Sequence, residues 1–137
     1  MSRSGYNNEA DDGSAWSAVI WRGTVANSIR GKRGQAMLRD LLTALDAMPD
    51  KQLIAESLQT PRGGVCALGS LGAARGINMT LLDPEDSASI AKTFNVAAPL
   101  IREISWLNDE GWYRPETPKQ RWARMRQWVQ CQITAAP

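Results

Sequence analysis

From Met37 to Met48, apolar residues return at every third or fourth position. Met37, Leu38, Leu41, Leu42, Leu45 and Met48 fall on one side, and Arg39, Asp40, Thr43 and Asp46 on the other. That spacing predicts an amphipathic helix. Pro49 and Asp50 end it, because proline has no backbone N–H to continue the ladder. Upstream, Trp16, Val19, Ile20, Gly23, Ala26 and Ile29 follow a rougher helical period and predict a first helix over about 15–30. Gly23 reads as a weak point or a close-packing position. Gly31 stops this helix, and Gly34 stands near the entrance of the next. Near the other end, Thr117 caps a last helix and Pro118 opens it. That helix runs to about Ile133, with Trp122, Met125, Val129 and Ile133 as its buried stripe.

The middle of the chain is less regular. "QLIAESL" suits a strand or a helix start, and "TPRGG" is a turn signal. Residues 53–65 therefore read as a short hairpin or a loop. The small residues of "VCALGSLGAARG" then predict a tightly packed helix over about 66–75, ended by Gly76 in a left-handed conformation. In "LDPEDSASIAKTF", Asp83 reads as an N-cap, Pro84 as N1, and Glu85 and Asp86 as acids in the positive first turn. This helix runs to about Phe94. Another covers roughly 97–108, with Leu100, Ile104 and Leu107 on one face, and "NDEGWYRPETP" reads as a loop.

These elements predict a mainly α fold. It is a single compact domain of five to six helices over residues 15–137, with at most one short β-hairpin around 53–67. The first, second and last helices should form the core. Residues 1–14, rich in Asn, Asp, Gly and Ser, read as a disordered leader. The chain has 137 residues, 43% hydrophobic and 22% charged, which suits one globular domain able to bury a core. No apolar run approaches the length of a membrane span, and the polar, acidic start does not resemble a signal peptide. We therefore expect a cytoplasmic protein with free thiols and no membrane contact.

A net charge of +2 hides a division. Residues 15–39 carry Arg22, Arg30, Lys32, Arg33 and Arg39 and no acid. Residues 114–137 carry Arg114, Lys119, Arg121, Arg124 and Arg126 against Glu116 alone. Residues 40–113 hold five bases and ten acids. If the two basic segments meet, they make one positive face suited to a polyanion or an acidic partner. If they do not, the same residues are solvated helix faces. In "IRGKRGQ", a glycine-flanked turn entering a helix can aim backbone N–H groups at an anion, with Lys32 and Arg33 adding charge. The residues do not form a nucleotide phosphate loop, and the alternative is a plain helix–helix joint. In "TPKQRWARMRQWVQC", Trp128 lies on the same helix side as Arg121 and Arg124, an arrangement suited to a base, a phosphate or a protein hot spot; the alternative is that Trp128 covers a second helix edge and the arginines are solvated. The predicted binding residues are thus Arg22, Arg30, Lys32, Arg33, Arg121, Arg124 and Trp128, with Arg30, Lys32 and Arg33 joining Arg121, Arg124 and Trp128 in one patch.

Candidate chemistry is sparse. The chain has no histidine, so catalysis by a Ser–His or Cys–His pair is excluded. Cys66 and Cys131 are far apart in sequence, so a structural zinc site within one chain is not expected, and no cofactor is implied. Cys66 at a helix N-terminus could become nucleophilic, with Asn108 and Asp109 as polar neighbours, but no base is identifiable. Flanked by Val65, Ala67 and Leu68, it reads more simply as a small buried residue.

"WRGTVANSIRGKRGQAMLRDLLTALDAMPDKQLIAESL", "GGVCALGSLGAARG", "LDPED", "ND" at 108–109 and "TPKQRWARMRQWV" resemble a family of small proteins of tailed bacteriophages and prophages. The matching pieces cover most of the chain from Trp21 to Val129. The family brings no known activity, fold or cofactor. The resemblance implies a setting, an accessory protein at work in a bacterial cytoplasm. It also implies a mode of action, binding to a host protein complex and in some cases countering a host defence system. Binding to nucleic acid through the basic segments is the alternative, and a cysteine-dependent enzyme using Cys66 is the second alternative.

Overall fold

A computed structural model describes residues 3–4, 15–110 and 115–134. Among these residues the chain forms six α-helices and no strand. They are α1 (Ala15–Arg30), α2 (Lys32–Ala47), α3 (Ala67–Ala74), α4 (Ser87–Phe94), α5 (Ala98–Glu110) and α6 (Pro118–Gln132), with one 3₁₀ turn at Met79–Leu81. The fold is mainly α, as the periodicity predicts. Apart from Arg3 and Ser4, the expected leader lies outside the described residues. These two are buried.

Helix α2 is the centre of the molecule. Its apolar stripe of Met37, Leu38, Leu41 and Leu45 is at most 1% exposed and packs against α3 on one side and α6 on the other. Met125 and Val129 of α6 close one side of this core, and Ile90, Phe94, Leu100, Ile101 and Ile104 of the α4–α5 pair complete it. Fully burying such side chains stabilises by roughly 1.5–3 kcal/mol each. The position of α1 differs from expectation. Val19 and Ile20 are 62% and 52% exposed, while Val25 is buried and the half-buried Ile29 packs against the core. The expected core of first, second and last helices is therefore corrected to α2 through α6, with α1 laid across α2 and α5. The physical reason is that α2 already spends its single apolar stripe on α3 and α6. Helix α1 is held to α5 by a polar link instead, Arg22 to the buried Glu103.

The connection from α2 to α3 is a loop. Gln59 and Val65 form one isolated bridge, Thr60 N–H donates to Gly64 O at 2.8 Å, and Gly63 turns at φ +88°. Of the two options for 53–65, the loop is what forms. Helix α3 is close-packed, as its small residues predict. A Cβ at Gly69 would overlap the Leu58 carbonyl, and one at Gly72 would overlap the Met79 side chain. Gly76 takes the left-handed conformation expected of it, φ +71°.

Two boundaries differ from expectation. The N-cap of α4 is Asp86, not Asp83, because Asp86 accepts from both the N–H and the hydroxyl of Ser89. Asp83 instead accepts from Glu85 N–H in a separate turn ahead of the helix. Helix α5 continues through Asn108, Asp109 and Glu110, so these three are helical. Residues 111–114 of the expected loop lie outside the described residues. The last helix starts as predicted. Thr117 and Gln120 form a reciprocal capping box, with Pro118 at the first position.

Candidate functional site

The joint between α1 and α2 is built by two glycines and one glutamine. Gly31 closes α1 through its N–H to Asn27 O at 3.1 Å and is also the N-cap of α2, where no side chain caps the helix. Gly34 lies so close to the last turn of α1 that a Cβ would overlap the Ser28 carbonyl. Gln35, 5% exposed, then fastens three segments. Its Nε2 donates to Ile29 O at 2.7 Å and Gln132 O at 3.0 Å, and its Oε1 accepts from Thr134 N–H at 2.9 Å. The sequence reading does not single out Gln35, because its partners at 132 and 134 are distant in sequence.

On this support Lys32 and Arg33 form an exposed ridge between two shallow grooves. One, of about 430 Å³, is lined on its α1 side by Thr24, Asn27 and Ser28. The other, of about 490 Å³, is lined by Ala36, Arg75, Phe94 and Asn95 among others. Arg33 donates to Asn95 Oδ1 at 3.3 Å, and Arg30 to Asn27 Oδ1 at 2.7 Å. Among the described residues, no carboxylate forms an ion pair with Arg30, Lys32 or Arg33. Arg75 is different. It pairs with Asp40 at 2.7 Å and lies over the buried ring of Phe94.

The other predicted binding residues are engaged elsewhere. Arg22 reaches Glu103 with both terminal nitrogens, at 3.0 and 2.8 Å. Arg124 holds Glu116 with Nε at 2.9 Å and Nη2 at 2.8 Å, and Arg121 donates to Leu53 O at 2.8 Å while flanking the same carboxylate. Glu116 is 8% exposed in its side chain. The Arg124 hydrogen bonds hold it below the ordinary carboxylate value, against burial, which works the other way. Trp128 is half-buried and packs on the core. Helices α2 and α6 run antiparallel, with Gln35 beside Gln132 and the Trp122 indole donating to Leu45 O at 3.1 Å. Lys32 and Arg121 therefore lie toward opposite ends of α2, separated by roughly 20 Å of helix at 1.5 Å per residue. That is about two screening lengths at 0.1 M salt. The single patch of Arg30, Lys32 and Arg33 with Arg121, Arg124 and Trp128 is not formed.

Cys66, Asn108 and Asp109 do come together, at the start of α3 and the end of α5. Cys66 is fully buried and its Sγ caps α3, accepting from Gly69 N–H. Asn108 Oδ1 accepts from Ala67 N–H at 3.1 Å. Asp109 binds Arg3, whose Nη1 stands 3.6 Å from Sγ. Burial works to lower the Arg3 guanidinium, but the Cys66 sulfur and Asp109 outweigh it and raise the group above its ordinary value. Asp109 accepts from Arg3, Glu56 N–H and Asn108, so four hydrogen bonds engage its carboxylate. Neither groove at the α1–α2 joint is lined by Cys66.

Among the described residues, no group of three or more Cys, Asp or Glu side chains is placed to hold a metal ion, and no helix is long and apolar enough to cross a membrane. Comparison with protein-family models, curated proteins and solved structures finds no match to this chain.

Proposed function

We propose that this chain is a non-enzymatic binding protein that docks an acidic surface of a protein partner on the Lys32–Arg33 ridge. The setting we propose is the one the phage resemblance implies, with a host protein complex as partner and interference with a host defence system as the outcome. The observation that carries the reading is that Arg30, Lys32 and Arg33 carry charge with no carboxylate paired to them among the described residues. They stand on a joint fixed by Gly34 packing and the Gln35 clamp. Cations on a rigid support lose little freedom on binding and steer an acidic partner by long-range attraction.

A protein partner is favoured over nucleic acid by the lining of the grooves. Among the described residues, the one aromatic lining either groove is Phe94, 2% exposed beneath Arg75, and it offers a base no stacking platform. The net charge of +2 is also modest for a nucleic-acid binder.

Affinity capture from a bacterial lysate, with and without nuclease, tests the reading. The wild type should retain a nuclease-resistant protein that the double substitution Lys32→Ala, Arg33→Ala loses, with circular dichroism unchanged. Retention by the double variant sinks the reading, and loss of the captured material on nuclease treatment replaces it with nucleic-acid binding.

A further inference from the structure

The junction of α3 and α5 holds an arginine side chain almost completely out of water. Arg3 and Asp109 are 3% and 6% exposed. The guanidinium meets the carboxylate side-on, Nε on Oδ2 at 2.5 Å and Nη2 on Oδ1 at 2.8 Å, while Nη1 turns to Cys66 Sγ at 3.6 Å. Such a two-point fork is selective for a planar guanidinium, which an ammonium cannot reproduce. The acceptors are positioned by the fold as well as by Arg3. Asp109 Oδ1 also accepts from Glu56 N–H at 3.0 Å and Asn108 Nδ2 at 2.8 Å, and Asn108 is itself tied to Ala67 N–H and Ile54 O. Glu56 takes φ +68°, a left-handed conformation that a non-glycine residue adopts at a cost, and its N–H bond to Asp109 helps hold it there. The next residue is fastened separately. Ser4 O accepts from Arg102 Nε at 2.9 Å, and Arg102 lies over the Trp21 ring.

We propose that this junction is a guanidinium-binding niche, formed by Asp109 and Cys66, which Arg3 fills in cis and thereby seals the Cys66 thiol. The strap at Arg3 and Ser4 then sets access to Cys66. With the strap away, the niche accepts a free guanidinium ion in place of Arg3.

The test uses the full chain carrying Cys131→Ser, which removes the exposed thiol, and follows alkylation of Cys66 by iodoacetamide at neutral pH. With Arg3 present, Cys66 should react slowly. Arg3→Ala should speed the reaction at least about tenfold. Ethylguanidinium at millimolar concentration should restore protection, whereas ethylammonium should not. Unchanged kinetics in Arg3→Ala overturn the proposal, and so does equal protection by the two cations. If Arg3→Ala does not fold, the chain that keeps Arg3 decides. Its Cys66 labelling should depend only weakly on urea at low concentration, because opening a short strap exposes little surface. Labelling that tracks global unfolding at every urea concentration overturns the proposal.

Discussion

Glu116 shows how one carboxylate can account for two arginines. It is nearly buried, and Arg124 hydrogen bonds hold its pKa below the ordinary value of 4.5. Because the folded value is depressed, the pairing contributes stability above about pH 4.5, and the contribution is lost as pH falls through the depressed value. Glu116→Gln should cost about 1.5–3 kcal/mol at pH 7, the range for a hydrogen bond to a charged group. The gap from wild type should narrow on acidification below pH 4.5 when followed by urea unfolding. A gap independent of pH would remove the ion pair from the account. At this scale little of the site was legible. The acids and bases are visible, but not which ones neutralise each other. Arg121 is fastened to the Leu53 carbonyl, 68 positions away, and Arg3 to Asp109, 106 away. Gln35 reads as an ordinary polar residue until Thr134 is placed beside it.

The helices were legible in proportion to how simply each one packs. Helices α2 and α6 each bury one stripe, so their periodicity reports their burial. The Thr117–Pro118 start of α6 is local chemistry and forms as read, so Thr117→Ala should lower stability by about 1 kcal/mol in thermal or urea unfolding. Helix α1 was misread because its partners are a half-covered face and an ion pair, neither of which leaves a full apolar stripe. Its glycine makes a sharp contrast with that of α2. A Cβ at Gly23 meets nothing within 4 Å, so Gly23→Ala should stabilise by about 0.5–1 kcal/mol through helix propensity. A Cβ at Gly34 overlaps the Ser28 carbonyl, so Gly34→Ala should instead destabilise by about 1–3 kcal/mol. If Gly34→Ala proved as stable as Gly23→Ala, the joint would be looser than described. The start of α4 was misplaced by three residues because "LDPED" offers two acids with capping geometry, and only Ser89 supplies the partners that select Asp86.

Over the whole molecule, the antiparallel pairing of α2 and α6 sorts the basic residues into two populations. Arg121 and Arg124, near the start of α6, serve the fold, and Arg30, Lys32 and Arg33, near the start of α2, face solvent. Two double variants separate the populations. Arg121→Ala, Arg124→Ala should lower stability by several kcal/mol, because it leaves the nearly buried Glu116 unpaired. Lys32→Ala, Arg33→Ala should shift stability by no more than about 0.5 kcal/mol, and the same two variants compared in the capture assay should lose the partner only in the second case. The pairing also has a consequence for how the chain is made. The apolar stripe of α2 is complete once residue 47 has been synthesised, but its covering by Met125 and Val129 of α6 waits for about 80 further residues. At roughly 5–20 residues per second, a ribosome takes about 4–16 s to supply them. For that interval Met37, Leu38, Leu41 and Leu45 lack the α6 half of their cover, and α2 presents a chaperone with an apolar stripe to hold.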